Sequence, residues 1–337
     1  DLRLGYSEAP GHPLLRAEIA SLYDSLSADD VLVFAGAEEA IFCLTNTIVG
    51  PGDHVVVVWP GYQSLYEVAR AAGAEVTLHE LHEADGWRLD PERVIAALRP
   101  NTRLVVVNAP HNPTGMLPTR GEWTLLTSTL ADRGIQLLSD EVYRFLELDD
   151  ADRLVAGADA LEGGISLGVM SKSFALAGLR IGWLATRDRA ALARCAALKD
   201  YTTICSSAPA EILALIALRA RDVVLRRSRT IVEANLPLLD AFFASHADRW
   251  SWVRPRGGSI GFPRLLDAEP VESFVARLVG AEGVLLLPGP VIGHPGNHAR
   301  VGFGRTDLPD ALAGLERFLA ANPPRGGART PVAGASA

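Results

Sequence analysis

The segment Val169-Met-Ser-Lys-Ser-Phe-Ala-Leu-Ala-Gly-Leu-Arg-Ile-Gly-Trp183 places Lys172 just after an apolar run. Arg180, between glycines, follows it at a distance of eight positions. A lysine in a partly dry pocket has an accessible neutral amine and can form a Schiff base with a carbonyl ligand. An arginine nearby can grip a phosphate with two hydrogen bonds. Further polar groups trail other apolar runs: Asn112 in Asn108-Ala-Pro-His-Asn-Pro-Thr-Gly115, and Asp140 with Tyr143 in Ser139-Asp-Glu-Val-Tyr143. Trp59, in Trp59-Pro-Gly-Tyr62, ends a further run and is positioned to cover a flat ligand. In α/β folds ligands lie at the C-terminal ends of strands, so these side chains are expected around one crevice. Gly36, Ala37 and Glu38 open a helix without a bulky residue, which offers backbone N–H groups and the helix dipole to a phosphate. Taken singly, each signal has an ordinary structural explanation. Asp140 could cap a helix, Trp59 could belong to the core, Asn-Pro and Thr-Gly could be plain turns, and Lys172 a surface charge.

The elements that must position these residues are legible as alternating short apolar runs and amphipathic helices, the pattern of a sheet covered on both faces. Strands are expected at Asp53–Trp59, Glu75–Glu80, Leu104–Asn108, Ile135–Ser139, Gly164–Met170 and Arg180–Ala185, nearly continuous in Val, Leu and Ile. Ile19, Leu22, Tyr23 and Leu26 make one helical stripe, and Tyr62, Leu65, Tyr66 and Ala69 another. Asp90-Pro91 reads as an N-cap and first helical residue; Thr119 with Glu122 forms a capping box, and Gly134 stops that helix. After Ser206 the pattern is long and helical, and shorter strand-like pieces follow at Trp250–Arg254, Ser259–Arg264, Val284–Leu287 and Ala299–Gly304. The expected organisation is an N-terminal arm (1–15), a large three-layer αβα domain with a mostly parallel sheet (16–232) and a smaller α+β domain (233–322). The Pro/Gly-rich tail 323–337 is expected to be disordered. Since the sequence opens at Asp1 without a methionine and inside a recognisable pattern, a preceding segment is expected to be missing.

A net charge of −8 argues against a general nucleic-acid or anionic-membrane binder. The basic stretch Arg219, Arg221, Arg226, Arg227 and Arg229 reads as a solvated helix face rather than a phosphate patch. Cys43, Cys195 and Cys205 are too few and scattered for a disulfide framework or a zinc site, so a cytoplasmic home is expected. No apolar run reaches membrane-spanning length. A dinucleotide-binding domain would need a Gly-x-Gly-x-x-Gly after its first strand, and none is present.

Six pieces run in series: Gly36-Ala-Glu-Glu-Ala, Trp59-Pro-Gly-Tyr, Asn112-Pro-Thr-Gly, Asp140-x-x-Tyr143, Ser171-Lys172 and Gly178-Leu-Arg180-x-Gly182. This order resembles the class I/II aminotransferases, fold type I enzymes dependent on pyridoxal 5'-phosphate, from roughly Tyr6 to Leu319. The resemblance implies that Lys172 holds the cofactor as a Schiff base and shuttles a proton at the substrate Cα. It implies that Asp140 pairs with the pyridine nitrogen, that Asn112 and Tyr143 hydrogen-bond the phenolic oxygen, and that Trp59 stacks on the ring. Arg180, Ser171 and the backbone of Gly36, Ala37 and Glu38 would hold the phosphate. Arg300, in His298-Ala-Arg-Val-Gly-Phe-Gly304, would fork the substrate α-carboxylate beside Asn112. Tyr6, in a Tyr…Gly-x-x-x-Leu-Arg element, would reach the phosphate of a neighbouring subunit, which implies a homodimer with shared sites. Two departures stand out: Val169 replaces a serine common in the family, and Ala37-Glu38 lacks a hydroxyl.

The implied activity is transfer of an amino group between an amino acid and a 2-oxo acid. Elimination, or cyclisation of an arginine-derived amino acid as in capreomycidine-synthase-like enzymes, would use the same cofactor residues. A cofactor-binding regulator is disfavoured, since no fused DNA-binding domain is expected ahead of Tyr6. No second arginine offers itself to a side-chain carboxylate, so an acidic substrate is not favoured. Tyr62, Tyr201 and Phe262 hint at aromatic pocket walls.

Overall fold

A computed structural model describes residues 5–323. Its main sheet contains Val31–Phe34 (β1), His54–Trp59 (β2), Glu75–Glu80 (β3), Thr102–Asn108 (β4), Gln136–Asp140 (β5), Gly164–Val169 (β6) and Gly182–Ala185 (β7). Their order is β1-β7-β6-β5-β4-β2-β3, parallel from β3 to β6, with β7 antiparallel to both of its neighbours. Eight helices accompany it: Pro13–Ala20 (α1), Ala37–Ile48 (α2), Ser64–Ala71 (α3), Pro91–Ala96 (α4), Arg120–Asp132 (α5), Gly157–Ala160 (α6), Arg189–Lys199 (α7) and Ala208–Arg219 (α8). Alternation along β2 explains the layering. Val55 and Val57 pack with residues of α2, α3 and α7, whereas Val56 and Val58 pack with residues of α4 and α5. Each such fully buried side chain contributes about 1.5–3 kcal/mol, so both faces need the unbroken apolar run.

Helix Arg221–Ser245 (α9) leaves this assembly and enters a second one. Val224 and Leu225 pack against the core between α1 and α8, while Val232, Leu236 and Leu239 join a C-terminal core. Around that core lie Trp250–Ser251 (β8), Ile260–Gly261 (β9), Arg264–Leu265 (β10), Val271–Glu282 (α10), Leu287–Pro288 (β11), Ala299–Gly302 (β12) and Leu308–Ala321 (α11). Strand β8 pairs with β10, and β12 lies between β11 and β9.

The six strands expected in the main sheet fall within two residues of their positions. β1 was not anticipated, and the C-terminal strands are shorter than expected. The caps at Asp90 and Thr119 are present, with Asp90 accepting from Glu92 N and Arg93 N and Thr119 from Glu122 N. The first helix needs correction: it stops at Ala20, so Leu22, Tyr23 and Leu26 pack against the core from a turn. Ser21 caps it, and its hydroxyl donates to Glu18 O at 2.7 Å, an alternative partner to further helix. The basic face on α8 and α9 is partly neutralised by Arg219–Glu18 and Arg229–Asp150 ion pairs. No helix among the described residues is long and apolar enough to cross a membrane. The expected disordered tail lies, beyond Pro323, outside the described residues.

Candidate active site

Strands β4 and β5 run in register with Asn108 opposite Asp140, and β6 follows beside them. Their C-terminal ends open on a cavity of about 250 Å³. Asn108 organises the turn: its Nδ2 donates to Asp140 O at 2.9 Å, and its Oδ1 accepts from Asn112 N at 2.6 Å. Asn112 is thereby held at the cavity, where its Oδ1 accepts from Arg300 Nη1 at 3.0 Å. Arg300 arrives from β12, so the cavity is walled by both assemblies.

Asp140 is 4% exposed, and its Oδ1 accepts one hydrogen bond, from Val142 N at 3.2 Å. Its Oδ2 makes none among the described residues. Burial pushes this carboxyl up to about 7; the Val142 N–H and the Lys172 charge oppose the shift and Glu141 adds to it. Lys172 moves the other way. Burial, with Arg300 and Arg180 nearby, holds its amine below the ordinary lysine range, against the pull of Asp140. Its Nζ stands 5.8 Å from the centre of the Tyr143 ring. Burial likewise pushes the Tyr143 phenol up to about 12, with Arg300 opposing.

The spacing between Lys172 and Arg180 has a local cause. Ala175 N donates to Lys172 O at 2.9 Å and Met170 N to Ile181 O at 3.0 Å, which closes the segment into a tight loop returning along β7. Arg180 adopts φ +54°, a left-handed conformation unusual for a residue with a Cβ, and forms no ion pair among the described residues. Its guanidinium lies against the start of α2. A Cβ on Gly36, itself at φ +98°, would sit 2.5 Å from Arg180 Nη2. Gly182 serves the same approach, because a Cβ there would lie 2.6 Å from Ala37 N. Two glycines thus let a helix N-terminus and an arginine meet, a ready seat for a phosphate.

Of the expected site residues, Ala37, Glu38, Asn112, Asp140, Tyr143, Ser171, Lys172, Arg180 and Arg300 line this one cavity, and Gly36 adjoins it. Val169, the departure from the serine common in the family, lines it too. Trp59 does not. Its ring is 8% exposed and stacks on His294 (centroids 5.3 Å apart, planes at 28°), beside Trp87 and His298. As the last residue of β2 it continues the Val55–Val57 face into the core, and the chain must turn before an aromatic reaches the cavity. That aromatic is Tyr62, whose hydroxyl donates to Glu38 Oε2 at 2.9 Å. Phe262 belongs to the same buried stack, 4.9 Å from His298, while Tyr6 and Tyr201 are 93% and 89% exposed and outside the cavity. Asn108 was missed, although a polar residue ending a buried strand is the signal that picked out Asp140.

The residues present fit pyridoxal phosphate. The glycine-opened seat, with an arginine that has no ion pair among the described residues, suits its phosphate; the Asp140 oxygen without a partner among those residues suits its ring nitrogen, and the Lys172 amine its aldehyde.

Residues 2–312 match the family described as aminotransferase class I and II. The chain is similar to capreomycidine synthase of Streptomyces vinaceus, 31% identical over 92% of this chain and 79% of that protein. It is 29% identical to an arginine–pyruvate transaminase of Pseudomonas aeruginosa, over 88% of this chain and 77% of the relative. The fold superposes on a PLP-dependent aminotransferase from Streptococcus suis with a TM-score of 0.89 and 31% identity, covering 95% of this chain and 84% of that one. The chain belongs to the class I and II aminotransferase family and is a pyridoxal-phosphate-dependent aminotransferase.

Proposed function

We propose that amino transfer between an amino acid and a 2-oxo acid is carried out in this cavity by Lys172, Asp140, Arg180 and Arg300. What supports the reading is one juxtaposition: an amine held below its usual pKa, a buried carboxyl with a bare oxygen, and an arginine at a glycine-opened helix start. Arg300, steadied by Asn112, takes the substrate α-carboxylate. Lys172 Nζ, more readily neutral than an ordinary lysine, would accept the Cα proton and deliver it to the cofactor carbon that takes up the amino group. When bound, the cofactor supplies the electron sink for the charge that develops at Cα. Asp140 would pair with the ring nitrogen, and a proton held there would draw the carboxyl back to its ionised form, so that each group stabilises the charge on the other. Tyr143 and Asn112 would donate to the phenolic oxygen, and Tyr62, the aromatic lining the cavity, would cover the ring. Arg180, Ser171 and the backbone N–H groups of Ala37 and Glu38 would hold the phosphate.

The assembly we propose is a homodimer in which Tyr6 reaches the neighbour's phosphate. It is supported by large apolar side chains left in water on the first segment (Tyr6), after α7 (Tyr201 and Ile204) and on α8 (Leu213 and Ile216). The three free thiols fit a reducing, cytoplasmic setting. Similarity to capreomycidine synthase favours one second reading, a cyclising or eliminating enzyme on the same residues.

The test is an absorbance titration with pyridoxal phosphate, wild type beside Lys172→Ala, before and after a panel of amino acids. A visible band that needs Lys172 and is bleached by an amino acid, with the amino group recovered on an added 2-oxo acid, is expected. Ammonia or a cyclised product without oxo-acid demand would favour the second reading. A band independent of Lys172 would overturn the assignment.

A further inference from the structure

We infer that Glu38 sets the charge of the substrate side chain, so that this site takes amino donors carrying a guanidinium or ammonium group. The inference rests on the cofactor and α-carboxylate assignments proposed above. Among the described residues five charged side chains line the cavity: Glu38, Asp140, Lys172, Arg180 and Arg300. Four of them have work in that reading, with the ring nitrogen, the Cα proton, the phosphate and the α-carboxylate respectively. The Glu38 carboxylate has none.

Its surroundings do not neutralise it. Glu38 is exposed to the cavity side of α2 and forms no ion pair among the described residues. Its two oxygens each accept from a hydroxyl, Tyr62 Oη at 2.9 Å and Ser64 Oγ at 2.5 Å. Two hydroxyl donors fix where the carboxylate stands but leave its charge intact, and about two of its four acceptor positions remain open. Stabilising the helix start is the ordinary reason for a glutamate in the first turn. Here, however, that turn is the proposed phosphate seat, and a carboxylate beside a phosphate is repelled by it.

Charge in the loaded site points the same way. Once the phosphate is set against Arg180, the α-carboxylate against Arg300 and the ring-nitrogen proton against Asp140, Glu38 is the charged lining group with no counter-charge assigned to it. A donor with a cationic side chain would supply that counter-charge, and a planar guanidinium can donate two hydrogen bonds to one carboxylate. A dicarboxylic donor would bring a further negative charge to a cavity whose arginines are both engaged, and Glu38 would repel it.

The experiment compares kcat/KM of the holoenzyme for L-arginine, L-ornithine, L-leucine and L-glutamate in wild type, Glu38→Gln, Glu38→Asp and Tyr62→Phe. Arginine or ornithine should exceed leucine and glutamate in the wild type by about ten-fold or more. Glu38→Gln should collapse that ratio by a similar factor, and Glu38→Asp, which keeps the charge, should restore part of it. Tyr62→Phe removes a donor to the carboxylate but not the charge, so the ratio should stay within about three-fold. A wild type that prefers leucine or glutamate overturns the inference. So does a Tyr62→Phe ratio that falls as far as that of Glu38→Gln, which would make Glu38 merely a positioner of the tyrosine. Calorimetric titration of the same amino acids into cofactor-loaded Lys172→Ala protein reads side-chain preference without turnover. A cationic preference there, alongside failure of every donor to transfer its amino group, would sink the transfer reading while leaving Glu38 its role.

Discussion

Two carboxylates withdrawn from water, Asp140 and Glu83, meet opposite fates. Asp140, at the end of β5, has a single N–H partner, and burial lifts its pKa to about 7. Glu83, just after β3, is also penalised by burial, yet hydrogen bonds from His298, Ser251 and Arg264 bring it down to about 2. Its Oε1 accepts from Ser251 Oγ at 2.5 Å and its Oε2 from Arg264 Nε at 2.5 Å, with His298 Nε2 3.2 Å from Oε2. All three partners come from the C-terminal assembly, so Glu83 fastens that assembly to the sheet. A carboxylate saturated by its own chain holds structure together; one left unsaturated, in a cavity, waits for a ligand's charge.

The sharpest way to break this comparison is at the cavity. Lys172→Ala should lower kcat by about 10⁴-fold or more, measured by amino transfer in saturating cofactor; a variant within ten-fold of wild type would remove Lys172 from the chemistry. Asp140→Asn should come next, with kcat down by about 10²–10³-fold. The same substitution has a stability signature in cofactor-free protein. Because the folded pKa of Asp140 lies above its unfolded value, the native state holds the proton more tightly, and stability falls as pH rises from about 4 through about 7. The loss is on the order of 4 kcal/mol, and denaturant midpoints of Asp140→Asn should lack it. Glu83 reverses the sign. Its lowered pKa contributes stability above about pH 4.5 that disappears as pH falls towards 2. Glu83→Gln should therefore cost about 2–3 kcal/mol at neutral pH in chemical denaturation and almost nothing near pH 2. Equal pH slopes in the two variants would erase the distinction. The smallest effect separates the two aromatics: Trp59→Phe should cost about 1–2 kcal/mol of stability with cofactor affinity kept, whereas Tyr62→Phe should change cofactor binding or kinetics with stability kept within about 0.5 kcal/mol.

How much of this could be read from the sequence depended on whether a signal was local. Buried parallel strands announce themselves as runs of Val, Leu and Ile, so β2, β4, β5 and β6 were found, and with them Asp140 at a strand end. β1 was overlooked because four apolar residues beside a helix start look like part of the helix's approach. Apolar spacing carried the first helix too far, since spacing records what is buried and not whether the backbone bonds continue past Ser21. Trp59 and Tyr62 show the same limit at a finer scale. Three residues separate them, and only the path of the turn decides which ring meets the cavity. Glu83 left no trace in sequence at all, because its partners lie some 168 to 215 positions away.

The 25 residues of α9 belong to both cores at once, Val224 and Leu225 to one and Leu236 and Leu239 to the other. At about 1.5 Å per residue the helix runs for nearly 40 Å, with Pro237 inside it as the one residue that gives up a backbone donor. Neither assembly can be inherited, excised or transplanted alone without leaving the other a frayed stump of apolar side chains. Cellular quality control, meeting a chain in which one core has come loose, therefore meets a partly unfastened whole, and a gene that recombines anywhere within this helix delivers two incomplete objects.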